Sequence, residues 1–205
     1  MLQKEYGAKS LSAIYGAGKT SRPKVMFVFM NPTAKNISAH QSWAGLRAPW
    51  LGTKNIWKLF NQVGIISDNL FQKVQTLKYT EWSPEFSESL YVHIAKMGAW
   101  ITNLAKCTQP DARPLPNNVF KTYRDLMLKE VTIIQPRHII TFGNQVSSVL
   151  LLKNVPVSTY SQSQNDVLLV NNQHFAIYPT YYPVGQGQRN MAKTVTRINA
   201  ILSQK

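Results

Sequence analysis

The longest uninterrupted apolar run in the chain is Val25 to Met30, bounded by Lys24 and Asn31. A run of that length fits a strand buried on both faces and falls far short of the ~20 residues that cross a bilayer. Asn31-Pro32-Thr33 closes it as a strand-ending loop. Beyond that loop Ile56, Leu59, Phe60 and Val63 recur at helical spacing and stop at Gly64, the residue favoured just past a helix.

The same alternation returns downstream. Gly98 to Leu104 reads as a second strand end, followed by a turn-rich segment from Cys107 to Pro116. Val119, Tyr123, Leu126, Met127, Val131 and Ile134 make the apolar stripe of a long helix opening near Pro116-Asn117 and closing at Pro136. Arg137 to Phe142 is a strand, Gly143 a turn, and Gln145 to Leu152 a helix. Asp166–Val170 and His174–Tyr178 form a hairpin or adjacent pair, and Met191, Val195, Ile198 and Ile201 define a terminal helix. Ile65 to Leu90 is polar and receives no assignment.

Strands alternating with helices predict an α/β fold: a three-layer sandwich with a central, mainly parallel open sheet, whose ligands bind at the carboxyl ends of its strands. With no repeat or low-complexity tract, one domain is expected over residues 1–205, with its core at about 24–202.

Charge narrows the partners. Lys and Arg number 23 against 9 Asp and Glu, a formal charge of +14, and such a surface attracts polyanions. Nucleic acid is the expected partner. Scarce acid disfavours two-metal phosphoryl-transfer chemistry, which needs clustered carboxylates. Glu81, Glu85 and Glu88 come nearest, at helical spacing beside Trp82 and Phe86, and read as a solvated helix face. The four histidines lack an i, i+4 partner and the single Cys107 cannot complete a thiolate site, so neither a metal nor another cofactor is expected. The N-terminus is interrupted by Lys4, Glu5, Lys9 and Lys19, unlike a secretion signal, and a cytoplasmic monomer without membrane association is the expectation.

Gly16-Ala-Gly-Lys-Thr20 resembles a phosphate loop but has Ala13 where the motif needs Gly, and it precedes the first clear strand, so a surface turn is the expected reading. Four loops after the strands remain: Asn31-Pro32, Trp43 to Gly52, Asn103 to Arg113, and Tyr181 to Arg189. Together they supply amides, rings and cations, suited to a flat neutral heterocycle on a phosphate backbone.

These segments resemble, in order, the motifs of the uracil-DNA glycosylase superfamily. Phe29-Met-Asn-Pro-Thr33 is similar to the first active-site motif of the mismatch-specific and thymine-DNA glycosylase branch, and Ile56 to Gly64 to the helix that follows it. Trp100-Ile-Thr-Asn-Leu-Ala-Lys-Cys107 resembles a segment of the iron–sulfur glycosylases, Ile133 to Gly143 the strand entry common to the superfamily, and Pro179-Thr-Tyr-Tyr-Pro183 the last motif. The likeness spans about Lys24 to Leu202. Two departures stand out: Tyr182-Pro183-Val184 replaces the His or Asn before Pro-Ser of most members, and only Cys107 matches the four cluster cysteines of the iron–sulfur branch, so no cluster is implied.

The resemblance implies a base-excision repair enzyme that flips uracil or a related damaged base out of DNA and hydrolyses its N-glycosidic bond. It implies that Asn31 positions the water; that Trp50, with Trp43 as rival, stacks on the base and Pro32 also binds it; and that Asn103 reads the base edge. Tyr182 would donate to the developing oxyanion, and Gln186, Gln188 and Arg189 would fill the vacated space and grip phosphate. Taken without the resemblance, Asn31 is equally a turn residue before proline, Trp50 a core ring, Asn103 a buried loop amide and Tyr182 a packing residue. Two other functions compete: a catalytically silent nucleic-acid-binding protein of the same fold, motivated by the altered last motif, and a nucleotide-binding kinase or nucleotidase built on Gly16 to Thr20.

Overall fold

The structure, a computed structural model, describes residues 2–36, 53–78, 80–112 and 115–204. Its elements in chain order begin with α1 (Leu2–Tyr6), β1 (Ala17–Gly18), β2 (Val25–Phe29), α2 (Lys54–Gln62), α3 (Asp68–Thr76), α4 (Pro84–Lys96) and β3 (Ala99–Asn103). They continue with α5 (Asn117–Ile134), β4 (His138–Phe142), α6 (Asn144–Leu151), β5 (Asp166–Val170), β6 (Gln173–Thr180) and α7 (Met191–Leu202).

The sheet runs β1-β3-β2-β4-β6-β5, with β3, β2, β4 and β6 parallel and the two edge strands antiparallel to their neighbours. β2, β3 and β4 are buried at every position, because helices cover both faces of a parallel sheet and the usual polar alternation disappears. Alternate residues of β2 serve opposite layers. Val25, Phe27 and Phe29 pack with Trp57 and Phe60 of α2, Leu90 of α4 and Ile198 of α7. Met26 and Val28 pack with Phe120, Tyr123 and Met127 of α5 and Leu150 of α6. The three expected layers follow. β3 and β4 lie on opposite sides of β2, so the chain reverses its direction of winding there and opens a crevice at the carboxyl ends of these strands.

Three sequence readings are corrected. The stretch left unassigned holds α3 and the start of α4, each capped by a serine: Ser67 Oγ accepts from the Leu70 amide at 3.4 Å and Ser83 Oγ from the Phe86 amide at 3.3 Å. Glu85 and Glu88 lie on α4, but Glu81 precedes it and accepts from the Lys78 amide at 2.7 Å, so the three carboxylates do not share one helix face. Gly16 to Thr20 forms an edge strand, not a surface turn. Ala17 and Gly18 pair with Ile101 and Trp100, and a Cβ on Gly18 (φ +115°) would stand 2.3 Å from the Ala99 carbonyl oxygen. The glycines there allow close backbone approach to β3, and no helix follows them.

No helix among the described residues is long and apolar enough to cross a membrane.

Candidate active site

The ends of β2 and β3 continue side by side past the sheet. Leu104 N donates to Phe29 O at 2.8 Å, Ala105 N to Met30 O at 3.0 Å and Gln109 N to Pro32 O at 3.0 Å, while Thr33 and Gln109 form a parallel bridge. Asn31 is therefore fixed on a backbone ladder, and Pro32 lies buried beside it without needing an amide hydrogen.

Asn36 holds the rest of this loop. It is buried, its Oδ1 accepts from the Thr33 amide at 2.8 Å and the Thr33 hydroxyl at 3.2 Å, and its Nδ2 donates to Thr53 Oγ1 at 3.0 Å. One carboxamide thus joins the loop after β2 to the residue that opens α2.

These segments surround a cavity of about 450 Å³, within the size range of small-ligand sites. Its lining among the described residues includes Met30, Asn31, Thr33, Asn36, Tyr182 and Val184, with Lys35, Lys54 and the first turn of α2 on the polar side and no acidic residue. Amides of a helix's first turn favour anions, and the two ammonium groups add to that field. Lys54 Nζ also donates to the Gln75 carbonyl.

The half-buried Asn31 donates from Nδ2 to Pro32 O at 3.2 Å, leaving its Oδ1 without a partner among the described residues. Tyr182 meets Phe29 edge-on, ring centroids 6.2 Å apart and planes at 73°. Burial pushes its phenol up to about 12, so the group is protonated throughout the neutral range. Behind it the chain can only be glycine: a Cβ on Gly187 would lie 1.7 Å from the Tyr182 carbonyl oxygen.

Asn103 occupies the final rung of β3, opposite Phe29. Across the sheet this rung continues to Phe142, stacked on Phe29 at 4.2 Å, and to Thr180 opposite Phe142. Asn103 is 1% exposed, and among the described residues neither its Oδ1 nor its Nδ2 has a hydrogen-bond partner; the Thr180 hydroxyl, at the other end of the row, has none there either. Leaving such groups unsatisfied costs on the order of 1–3 kcal/mol each, so a doubly orphaned carboxamide calls for a functional explanation.

The structure therefore brings Asn31 and Tyr182 to one cavity and sets Asn103 on the strand next to Asn31, but sealed off from the cavity lining. The expected convergence on one open pocket is met for the first two only. Trp50 and Trp43 lie outside the described residues. Gln186, Gln188 and Arg189 sit exposed on a 3₁₀ turn, Gly185–Asn190, between Val184 of the cavity and α7. Sequence reasoning missed Asn36, Thr53, Lys35 and Lys54 as site residues. The approach of Asn36 to Thr53 is a long-range contact that no local pattern announces. Cys107 is buried, and burial raises its thiol pKa, the setting of a packing residue.

The ladder-held Asn-Pro loop, the switch-point crevice and the phenol from the last strand agree with a comparison of the whole sequence with known families. No curated protein matches the chain. The model of the uracil DNA glycosylase superfamily, however, matches residues 15–203, from the edge strand to the end of the last helix, and the chain belongs to that superfamily.

Proposed function

We propose that this protein is a DNA glycosylase that removes uracil or a related damaged pyrimidine, flipped out of DNA, by hydrolysis without a cofactor. The observation that carries the proposal is the meeting of Asn31 and Tyr182 in one cavity, with no acidic residue in its described lining, at the carboxyl ends of β2 and β6.

In this reading the free Oδ1 of Asn31 accepts a hydrogen bond from water and aims its oxygen at C1′ of the deoxyribose. An amide is a weak base, but the sugar becomes cationic as the bond to the base breaks, and a positioned water then adds readily. As the C1′–O bond forms the water gives up a proton, which passes through solvent to the departing base, and that base carries away the electron pair of the C–N bond. The neutral phenol of Tyr182 donates to the oxyanion growing on that base. Lys35, Lys54 and the first amides of α2 hold flanking phosphate, and Gln186, Gln188 and Arg189 enter the gap in the helix.

Trp50 stacks on the base. Asn103 accepts from N3–H and donates to O4, a pairing that admits uracil and opposes cytosine, whose exocyclic amine is a donor. Because Asn103 is closed off in the free protein, base entry has to open the floor of the cavity, and the two orphaned amide atoms gain their partners at that moment.

Incubation with oligonucleotides carrying uracil and other lesions, single- and double-stranded, followed by alkaline cleavage of abasic sites, tests the proposal. Strand cleavage at the lesion is expected, and intact strands across the panel would overturn it.

A second reading, DNA binding without turnover, is favoured by the Tyr182-Pro183-Val184 segment and the closed Asn103. It predicts salt-sensitive binding that is unchanged in Asn31→Ala, with no base release.

A further inference from the structure

Lys106 is a cation almost wholly removed from water, 4% exposed, and its ammonium bridges the end of β3 and α5. Its Nζ donates to the Asn103 carbonyl oxygen, to Thr102 Oγ1 and to Glu130 Oε2, each at 2.5 Å. Glu130, on α5, uses its other oxygen to accept from Trp100 Nε1 at 2.8 Å. Three of the five residues of β3 are thus tied to α5 through one buried ion pair.

Such a pair is a poor way to gain stability. Removing two charges from water offsets much of their attraction, and apolar side chains of similar volume do as well or better. Burial lowers the Lys106 pKa and Glu130 opposes that shift. A buried pair whose ligands are the backbone and side chains of one short strand end is better suited to fixing geometry than to adding cohesion.

The direction of the side chains makes the effect specific. Thr102 faces the α5 layer with Lys106, whereas Asn103 faces the opposite layer beside Phe29, as alternation along a strand requires. Lys106 therefore cannot touch a base presented to the Asn103 carboxamide. What it holds is the Asn103 peptide carbonyl, and hence the Cα–Cβ direction from which the carboxamide projects. Asn103 draws such support from behind, because its own Oδ1 and Nδ2 have no hydrogen-bond partner among the described residues to fix the amide plane.

We infer that Lys106, clamped by Glu130, is a positioning residue that presets the carboxamide of Asn103 for the edge of the flipped base. The inference rests on the base-reading role of Asn103 proposed above. The lysine takes no part in bond breaking and acts only through the backbone of its neighbour.

The test is the double variant Lys106→Met/Glu130→Gln, which leaves neither charge buried alone and keeps an acceptor for Trp100. In spectra of the ¹⁵N-labelled protein, the Asn103 side-chain amide signals, assigned by their loss in Asn103→Ala, are expected to shift and broaden, while backbone signals of β2, β4 and β6 keep their positions. Unaltered Asn103 side-chain signals would overturn the inference whatever the enzyme's activity. Should the double variant fail to fold, Glu130→Gln alone is judged by the same signals. With uracil-containing DNA, the single-turnover rate of the double variant is expected to fall about 100-fold at unchanged DNA affinity. It should fall no further when Asn103→Ala is added, and additive losses would count against the coupling. If Asn103→Ala itself excises uracil at the wild-type rate, it is the base-reading role of Asn103 that fails, and the amide spectra still decide whether Lys106 orders that side chain.

Discussion

Asn103 and Phe29 are partners in the last rung joining β3 to β2, so a carboxamide whose two polar atoms have no partner among the described residues stands beside the ring that Tyr182 meets edge-on. A polar group placed this way weakens the fold and is retained for what it can recognise. Replacement by leucine, of similar shape and without the orphaned atoms, is expected to raise stability by about 1 kcal/mol and to abolish excision. The midpoint of urea unfolding, measured beside a lesion-cleavage assay, checks both halves. A variant less stable than the parent would contradict the account.

Asn31 lines the cavity beside the Pro32 ladder with a carboxamide oxygen that has no partner among the described residues. Asn31→Ala should lower the single-turnover rate by at least ~100-fold, the scale of losing one aligned polar group in a reaction site. Its DNA affinity and thermal midpoint should stay at the parent values. A loss confined to affinity would move Asn31 from chemistry to binding.

Asn36 makes three hydrogen bonds from a buried position. Asn36→Ala leaves the Thr33 amide without its acceptor, and a destabilisation of about 2 kcal/mol is expected. Asn36→Asp should restore part of it, because the two contacts to Thr33 need only an acceptor. Equilibrium denaturation of the two variants separates these outcomes, and equal losses would refute the division.

Tyr182 carries a pH signature. Its phenol is pushed up from the ordinary 10.0 to about 12 by burial, so above pH 10 the unfolded chain releases this proton while the folded protein keeps it. The stabilising contribution is fully present below pH 10 and is lost between there and about 12. Other buried tyrosines shift the same way, so the informative quantity is a difference: Tyr182→Phe should lose less stability than the parent across that window. Excision by the parent should show no decline from Tyr182 ionisation up to pH 10. An alkaline limb near neutrality that vanishes in Tyr182→Phe would disprove the shift.

The legible parts of this fold were those whose physics is local. β2 stood out because burial on both faces leaves an uninterrupted apolar run, β3 and β4 as short β-rich stretches beside turn residues, and α5 because an apolar stripe recurs along its length, all of it buried except Leu126. α3 escaped notice because only Val74 is buried on it, although Ser67 and Ser83 marked the helix starts. The glycines near β1 looked like a phosphate loop because an edge strand pressed against a neighbour also demands small residues. At the site, Asn31 and Tyr182 could be read from their place after a strand. The closure over Asn103 could not, since it depends on how packed layers meet, and neither could the reach of Lys106 to Glu130 on α5.

The bond between Asn36 and Thr53 bridges the two shores of residues 37–52 at 3.0 Å. A side-chain bond between two described residues thus ties the ends of that interval together. On the function proposed above, exchanging that stretch for its counterpart in another superfamily member, with Asn36 and Thr53 kept, becomes a way to retune which lesion is accepted.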